Sequence, residues 1–366
     1  MRRFFCLAIL LFVSRSITAQ EIAPEKVTPI QYYDNTYYLI EGSNIADSLK
    51  ENLFDRLPLS YKDKVREPVW NLSKNSAGLS VRFRSNSTII KAKWKLLFDN
   101  AMNHMASTGI KGMDLYCRVG RDWQYINTAR PVGVENESLL IENMTAEWRE
   151  YRLFLPLYDG VSNVEIGIDS LSEISMPVKS DRKPIVFYGT SITQGGCASR
   201  PGMAYPSIIS RKLDLDCINL GFSGNGRMEA PIVEIMADID ALIYVIDCLP
   251  NMKAGQVLEN TVLLVAGLRR AHPSTPIVFI ENPVYEKAFF DIKERRIVDE
   301  KNATLKIEVD KVIASGDSNI YYIDNRFSVE QDHEGTVDNV HLTDLGFMRF
   351  ADYLIAKFEE FQLLPR

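Results

Sequence analysis

The segment Ile185-Val186-Phe187-Tyr188-Gly189-Thr190-Ser191-Ile192-Thr193 decides the architecture of this chain. An apolar run ends at a Gly and passes into residues with hydroxyl groups. That is the pattern of a short strand, buried on both faces, that breaks into a tight turn. Strand-length apolar runs recur at residues 217–220, 241–246, 277–280 and 320–323, and stretches with helical spacing lie between them at 205–213, 257–271, 291–313 and 345–358. Continuous apolar strands alternating with helices predict a parallel sheet covered on both faces. Five such units in about 180 residues predict a flavodoxin-like, three-layer α/β/α domain with a five-stranded parallel sheet, residues 184–366.

Upstream the periodicity changes. Residues 79–83, 88–97, 115–119, 139–141, 150–155 and 164–168 are short runs rich in branched or aromatic residues, punctuated by Gly, Asn, Asp and Pro. Short strands with frequent turns predict a β-sandwich, jelly-roll-like, over residues 20–178. The polar stretch 179–183 (Lys-Ser-Asp-Arg-Lys) reads as the linker. All four tryptophans, Trp70, Trp94, Trp123 and Trp148, fall in the β-rich half. They could stack on sugar rings, or fill the sandwich core as most Trp do.

The first residues are set apart. Arg2 and Arg3 precede an apolar run over 4–13, and Thr18 and Ala19 follow. A basic start, a short apolar core and a small residue before the cut predict an export signal over residues 1–19, and the run is short for a membrane span. Ile17 is an unusual residue at its place before the cut, and an uncleaved anchor or a buried first element is the alternative. The expected location is periplasmic or extracellular, without a stable membrane anchor. Cleavage takes the formal charge from −6 to about −9, and no Lys/Arg run is present, which argues against a nucleic-acid partner.

Cleavage also removes Cys6 and leaves Cys117, Cys197, Cys217 and Cys248, either paired or as buried free thiols. With four His in the chain and no CxxC or HExxH, neither a metal site nor a cofactor is expected.

In an open parallel sheet, functional groups gather at the carboxyl ends of the strands. The first strand leads to Ser191, whose hydroxyl can be presented at the sheet edge. The second leads to Gly221-Phe222-Ser223-Gly224-Asn225-Gly226, a loop with exposed amides suited to an anion. The third leads to Asn251, which could donate its amide to the same anion or cap the following helix. After the fifth comes Asp338-Asn339-Val340-His341. A Ser hydroxyl needs a base near neutral pH, and His supplies one; the His needs a carboxylate to fix its tautomer. A turn with Asp three residues ahead of His can provide that contact. His333 is the local rival and lacks such an Asp. Arg227 could meet a leaving group or form a surface salt bridge. Glu281 and Asn282 could line the pocket or be turn residues before Pro283.

Together these blocks resemble the SGNH hydrolases, also called GDSL esterases and lipases, named for invariant Ser, Gly, Asn and His. Those residues fall here on Ser191, Gly224, Asn251 and His341. Gly112-Met113-Asp114-Leu115-Tyr116 is similar to the GxDLY motif of a β-rich domain preceding one bacterial branch of that family. Two departures stand out: Thr190 occupies the place of the GDSL Asp, and Leu249-Pro250-Asn251-Met252 lacks the Gly and second acid of the usual Gly-x-Asn-Asp block.

The resemblance implies an acyl-enzyme mechanism on Ser191, with His341 and Asp338 completing the triad and Ser191, Gly224 and Asn251 forming the oxyanion hole. The expected substrate is a short-chain ester, acetyl above all, on a small molecule or polysaccharide. The alternatives are a lysophospholipase or thioesterase acting on longer chains, and a carbohydrate-binding protein with an inactive SGNH domain.

Overall fold

The apolar runs of the second half form strands almost where their patterns end. The structure, a computed structural model, describes residues 28–324 and 332–365; the predicted export signal lies outside them. Ten strands come first: β1 (Ile30–Tyr33), β2 (Leu39–Glu41), β3 (Ser80–Ser85), β4 (Ile90–Leu96), β5 (Met113–Val119), β6 (Asp122–Ala129), β7 (Glu135–Ile141), β8 (Arg149–Phe154), β9 (Val161–Asp169) and β10 (Ile174–Ser175). One sheet runs β1-β9-β4-β7 and the other β10-β3-β8-β5-β6, with β2 also on β3, and every pairing is antiparallel. Alternate residues such as Ile90, Ala92 and Trp94 on β4 meet Val81, Phe83 and Leu153 in one apolar core. The sequence patterns missed β1, β2, β6 and β10, whose residues are partly exposed and carry little apolar alternation.

The second half carries β11 (Ile185–Gly189), β12 (Cys217–Gly221), β13 (Ile243–Asp247), β14 (Ile277–Ile280) and β15 (Ile320–Ile323), all parallel, in the order β12-β11-β13-β14-β15. Before them, α1 (Glu67–Ser73) and α2 (Ser107–Lys111) interrupt the β-rich half. The later helices are α3 (Ser191–Gln194), α4 (Tyr205–Leu213), α5 (Ala230–Ala237), α6 (Ala254–Ala271), α7 (Ile292–Ala314) and α8 (Asp344–Glu360). Along β11, Val186 and Tyr188 face a core built with Ile232, Leu264 and Leu305, whereas Ile185 and Phe187 face one built with Ile208, Phe350 and Leu354. This is the three-layer arrangement expected. Among the described residues no helix is long and apolar enough to cross a membrane.

The β-rich half does not stand apart. Leu57, Val69 and Trp70 complete the core on one face of the parallel sheet, and Ala77, Ile110, Leu157 and Tyr158 the core on the other. Trp94 lies in the sandwich core, Trp123 packs with Tyr116 and Phe154, and Trp148 is exposed beneath the Arg84 guanidinium. Asp114, fully buried, accepts from the Arg200 guanidinium at 2.8 Å, the Gly202 amide at 2.9 Å and the Thr128 hydroxyl at 2.8 Å. Tyr116 accepts from the same guanidinium. The Gly-x-Asp-Leu-Tyr stretch is thus a clasp on the loop that follows the Ser191 turn.

Candidate active site

Strand β11 has β12 on one side and β13 on the other, so the loops after these three strands open at the point where strand order reverses. Ser191 is the first residue of α3 and Thr190 its N-cap, with the Thr190 hydroxyl accepting from the Ile192 amide at 3.3 Å. Beneath this turn, the Thr193 and Tyr205 hydroxyls donate to Asp247 Oδ2 at 3.0 and 3.1 Å. Asp247 ends β13 and is fully enclosed; burial pushes its carboxyl up to about 7. The residue at 190 therefore braces the turn as a cap, and the carboxyl beneath it comes from the neighbouring strand.

The Ser191 hydroxyl lies 2.8 Å from His341 Nε2, and His341 Nδ1 lies 2.7 Å from Asp338 Oδ2. Asp338 Oδ1 accepts from the Val340 and His341 amides at 3.1 and 2.8 Å. Asn339 sits at φ 72, a left-handed conformation that Asn tolerates, and so folds the carboxylate back over the ring. Partial burial opposes ionisation of Asp338, but the bonds from the His341 amide and ring and from the Val340 amide outweigh it and hold the carboxyl below its ordinary range. The segment is fixed by the Val337 amide on the His341 carbonyl at 2.8 Å and by the Thr343 cap of α8.

Gly224 has φ 69 in the loop after β12. At Gly226 a Cβ would lie 1.9 Å from the Gly189 carbonyl oxygen, so only glycine lets this loop rest against the Ser191 turn. The Gly226 amide donates to Asn251 Oδ1 at 3.2 Å, which leaves the Asn251 amide nitrogen to face outward from that bond. Asn251 closes a 3₁₀ turn, Leu249–Asn251, and α6 takes Lys253 as its N-cap, so the helix-capping alternative is not realised. Among the described residues, the Ser191 and Gly224 amides and the Asn251 amide nitrogen donate to no protein acceptor.

The other candidates are used inside the fold. Arg227 donates to the Gly224 carbonyl at 3.1 Å, and its Nε is buried without a partner among the described residues. Glu281 accepts from the Tyr322 hydroxyl. Asn282 is buried, its side chain engaged by Pro283, Tyr285 and Lys301, so it does not line an open pocket. His333 pairs with Glu286 at 2.8 Å and is not on Ser191. Cys117, Cys197, Cys217 and Cys248 are buried free thiols.

Several residues here escaped the sequence reading. Lys301 Nζ donates to the Leu249 carbonyl at 3.1 Å and to Asn282 Oδ1 at 2.7 Å, and burial pushes its ammonium down to about 8. Its signal was present: with Val298, Leu305, Val309 and Val312 it occupies the apolar stripe of α7. Gln194 donates to Asn75 Oδ1 and the Leu157 carbonyl and accepts from the Ser223 amide, tying the β-rich half to the glycine loop. Arg56, fully buried, donates to the Asn219 and Gly221 carbonyls at 3.1 and 2.7 Å. His104 places its ring centroid 5.7 Å from that of His341. Nothing in the spacing of His104 or Arg56 pointed to the site.

Residues 182–359 match the model of the GDSL-like lipase/acylhydrolase family, and residues 30–174 match that of the N-terminus of SGNH-hydrolase-type esterases. A GDSL-like lipase structure from Bacteroides ovatus is 36% identical, with a TM-score of 0.87 over 92% of this chain and 99% of that one. The chain belongs to the GDSL-like lipase/acylhydrolase family. It is an ester hydrolase of the SGNH type. No match was found among curated protein sequences. The fold is also that of a salicylyl-acyltransferase from a tetracycline biosynthetic pathway (15% identity, TM-score 0.75, 92% of this chain and 98% of that one). It is shared further with a family two carbohydrate esterase from Clostridium thermocellum, solved with cellohexaose (14%, 0.61, 79% and 94%).

Proposed function

We propose that this family member is an exported serine esterase that removes short acyl groups, acetyl above all, from carbohydrates. The reading divides the chain into an export signal (1–19), a β-domain (20–178), a linker (179–183) and the hydrolase domain (184–366). The observation that carries the chemistry is the unbroken contact from the Ser191 hydroxyl through His341 to Asp338, at 2.8 and 2.7 Å. Ser191 attacks the ester carbonyl while His341 takes its proton, and Asp338 holds the imidazole and stabilises its charged form. The oxyanion is received by the Ser191 and Gly224 amides and the Asn251 side chain. His341 then protonates the leaving alcohol, and water releases the acid from the acyl-enzyme.

The carbohydrate assignment draws on the fold shared with a carbohydrate esterase solved with cellohexaose. Acetate release from acetylated glycans and aryl acetates of increasing acyl length tests it. Glycan deacetylation with a peak at two to four carbons is expected. A peak beyond about eight carbons, where each buried CH₂ adds about 0.8 kcal/mol, favours a lipid substrate and overturns it. Failure of Ser191 to react with a fluorophosphonate would remove the catalytic reading itself.

A further inference from the structure

Two side chains beside the candidate triad, His104 and Cys197, have no role in ester hydrolysis as derived above. His104 belongs to the β-rich half, in the segment between β4 and α2, and its ring is exposed. Its Nδ1 is engaged by Asn103 Oδ1 at 3.0 Å, which leaves Nε2 as the open nitrogen. Cys197 is a buried free thiol on the loop after α3, held at φ 71. Ligand atoms of His104, Cys197, Asp338 and His341 all lie within 4.8 Å of one another.

We propose that these four residues form an inhibitory Zn²⁺ site assembled across the boundary between the β-rich half and the hydrolase domain. Two imidazoles, a thiolate and a carboxylate are ligands that Zn²⁺ prefers, whereas Mg²⁺ and Ca²⁺ favour oxygen-rich sets. Zinc bonds of about 2.0–2.3 Å in a tetrahedron put ligand atoms roughly 3.3–3.8 Å apart. The group must therefore close by about 1 Å, and the exposed His104 is placed to supply that movement. As the Sγ–Zn bond forms, the Cys197 proton passes to solvent, with no change of oxidation state.

Inhibition follows from the bonds His341 already makes. Its Nδ1 faces Asp338 and its Nε2 faces Ser191, at 2.7 and 2.8 Å. A metal on either nitrogen displaces one link of the relay, so ion and catalysis exclude each other. The device also gives the β-rich half a hand on the reaction through His104.

Co²⁺, a spectroscopic stand-in for Zn²⁺, tests the site on the purified full chain with no substrate present. Titration should give the visible bands of a four-coordinate ion and a near-ultraviolet thiolate-to-metal band, both bleached by Zn²⁺. Cys197→Ser should abolish the thiolate band, and His104→Ala should weaken Co²⁺ binding by about tenfold or more. In parallel, Zn²⁺ should inhibit aryl-acetate hydrolysis, EDTA should restore it, and His104→Ala should need about tenfold more Zn²⁺ relative to its own metal-free rate. If Co²⁺ gives only weak six-coordinate bands, or both variants titrate as the parent chain does, the site does not exist. Because the spectra need no ester, that failure is separate from failure of the esterase reading. Where Cys197→Ser does not fold, the exposed His104→Ala decides alone.

Discussion

The two halves of the molecule put their polar side chains to different uses. In the β-rich half they reach across the boundary: Arg56 holds the carbonyls at the end of β12, and Asp114 and Tyr116 grip Arg200 and Gly202. In the α/β half a second set gathers at one rim, where the buried Ser191 meets the part-exposed His341 and the exposed Asp338. The first set needs only to be satisfied and desolvated once. The second must keep donors and acceptors available for a substrate. On the proposed function the α/β half reacts and the β-rich half braces, and losses should sort accordingly.

The largest expected effect lies in the reacting half. His341→Gln should lower kcat/KM toward aryl acetates by about 10⁴–10⁶-fold, as loss of a triad member typically does, while His333→Gln should change it by less than about threefold. Comparable losses in both would mean that the base has been misassigned. The bracing half should answer in stability instead. Asp114→Ala removes a buried acceptor from the partly exposed Arg200 guanidinium, the Gly202 amide and the Thr128 hydroxyl, a loss of about 2–3 kcal/mol. Urea unfolding should show it, and a variant within about 1 kcal/mol of the parent would mean that the clasp contributes little.

Asp247 belongs to the α/β half yet braces it, because it is buried structure lying directly under the Ser191 turn. Its carboxyl is raised from 3.8 to about 7. A raised acid holds its proton in the folded chain where the unfolded chain has lost it. Its contribution is thus fully present below about pH 4 and lost as pH rises through about 7. Over that window the wild type should lose on the order of 4 kcal/mol that Asp247→Asn keeps. Parallel stability curves for the two proteins from pH 4 to 8 would show that Asp247 stays ionised in the fold.

These contrasts also explain what was legible in the sequence. The strands β11 to β15 and the helices α4, α6, α7 and α8 were readable because each is long or uniformly apolar, so its period survives without tertiary help. Helix α5 was not, since Pro231 and a short stretch whose one charged residue is Glu234 leave too little polar face to define a period. Of the site, Ser191, Asp338, Asn251 and His341 could be named because each follows a strand or precedes a helix in order. Arg56, His104 and Tyr158, whose hydroxyl donates to the Ser191 carbonyl at 3.4 Å, could not, because their place beside the rim is made by contacts spanning long stretches of chain. Thr190 shows the same limit at short range: its cap is local and readable, whereas the carboxyl below it, Asp247, arrives from another strand.

Asn251 lacks the usual flanking Gly and acid, so its aim depends on neighbours. Asn251→Ala should reduce kcat by about 10²–10³-fold, near 3 kcal/mol, with little change in KM, because an oxyanion donor acts on the transition state. An unchanged kcat would leave the oxyanion to the two backbone amides alone.

The smallest effect is the most diagnostic. Lys301 touches no reacting atom; it holds the Leu249 carbonyl at the start of the turn that carries Asn251. Lys301→Met keeps the stem and removes the donor, so it should cost about tenfold in kcat, roughly 1.4 kcal/mol, by loosening that turn. A lysine with only a structural role would move the melting temperature and leave kcat alone. The double variant Lys301→Met/Asn251→Ala separates the two, since a positioning residue loses its effect once the group it positions is gone. It should be no slower than Asn251→Ala by itself; losses that add in full would show that Lys301 acts elsewhere, and that the bracing of this rim comes from the β-rich half alone.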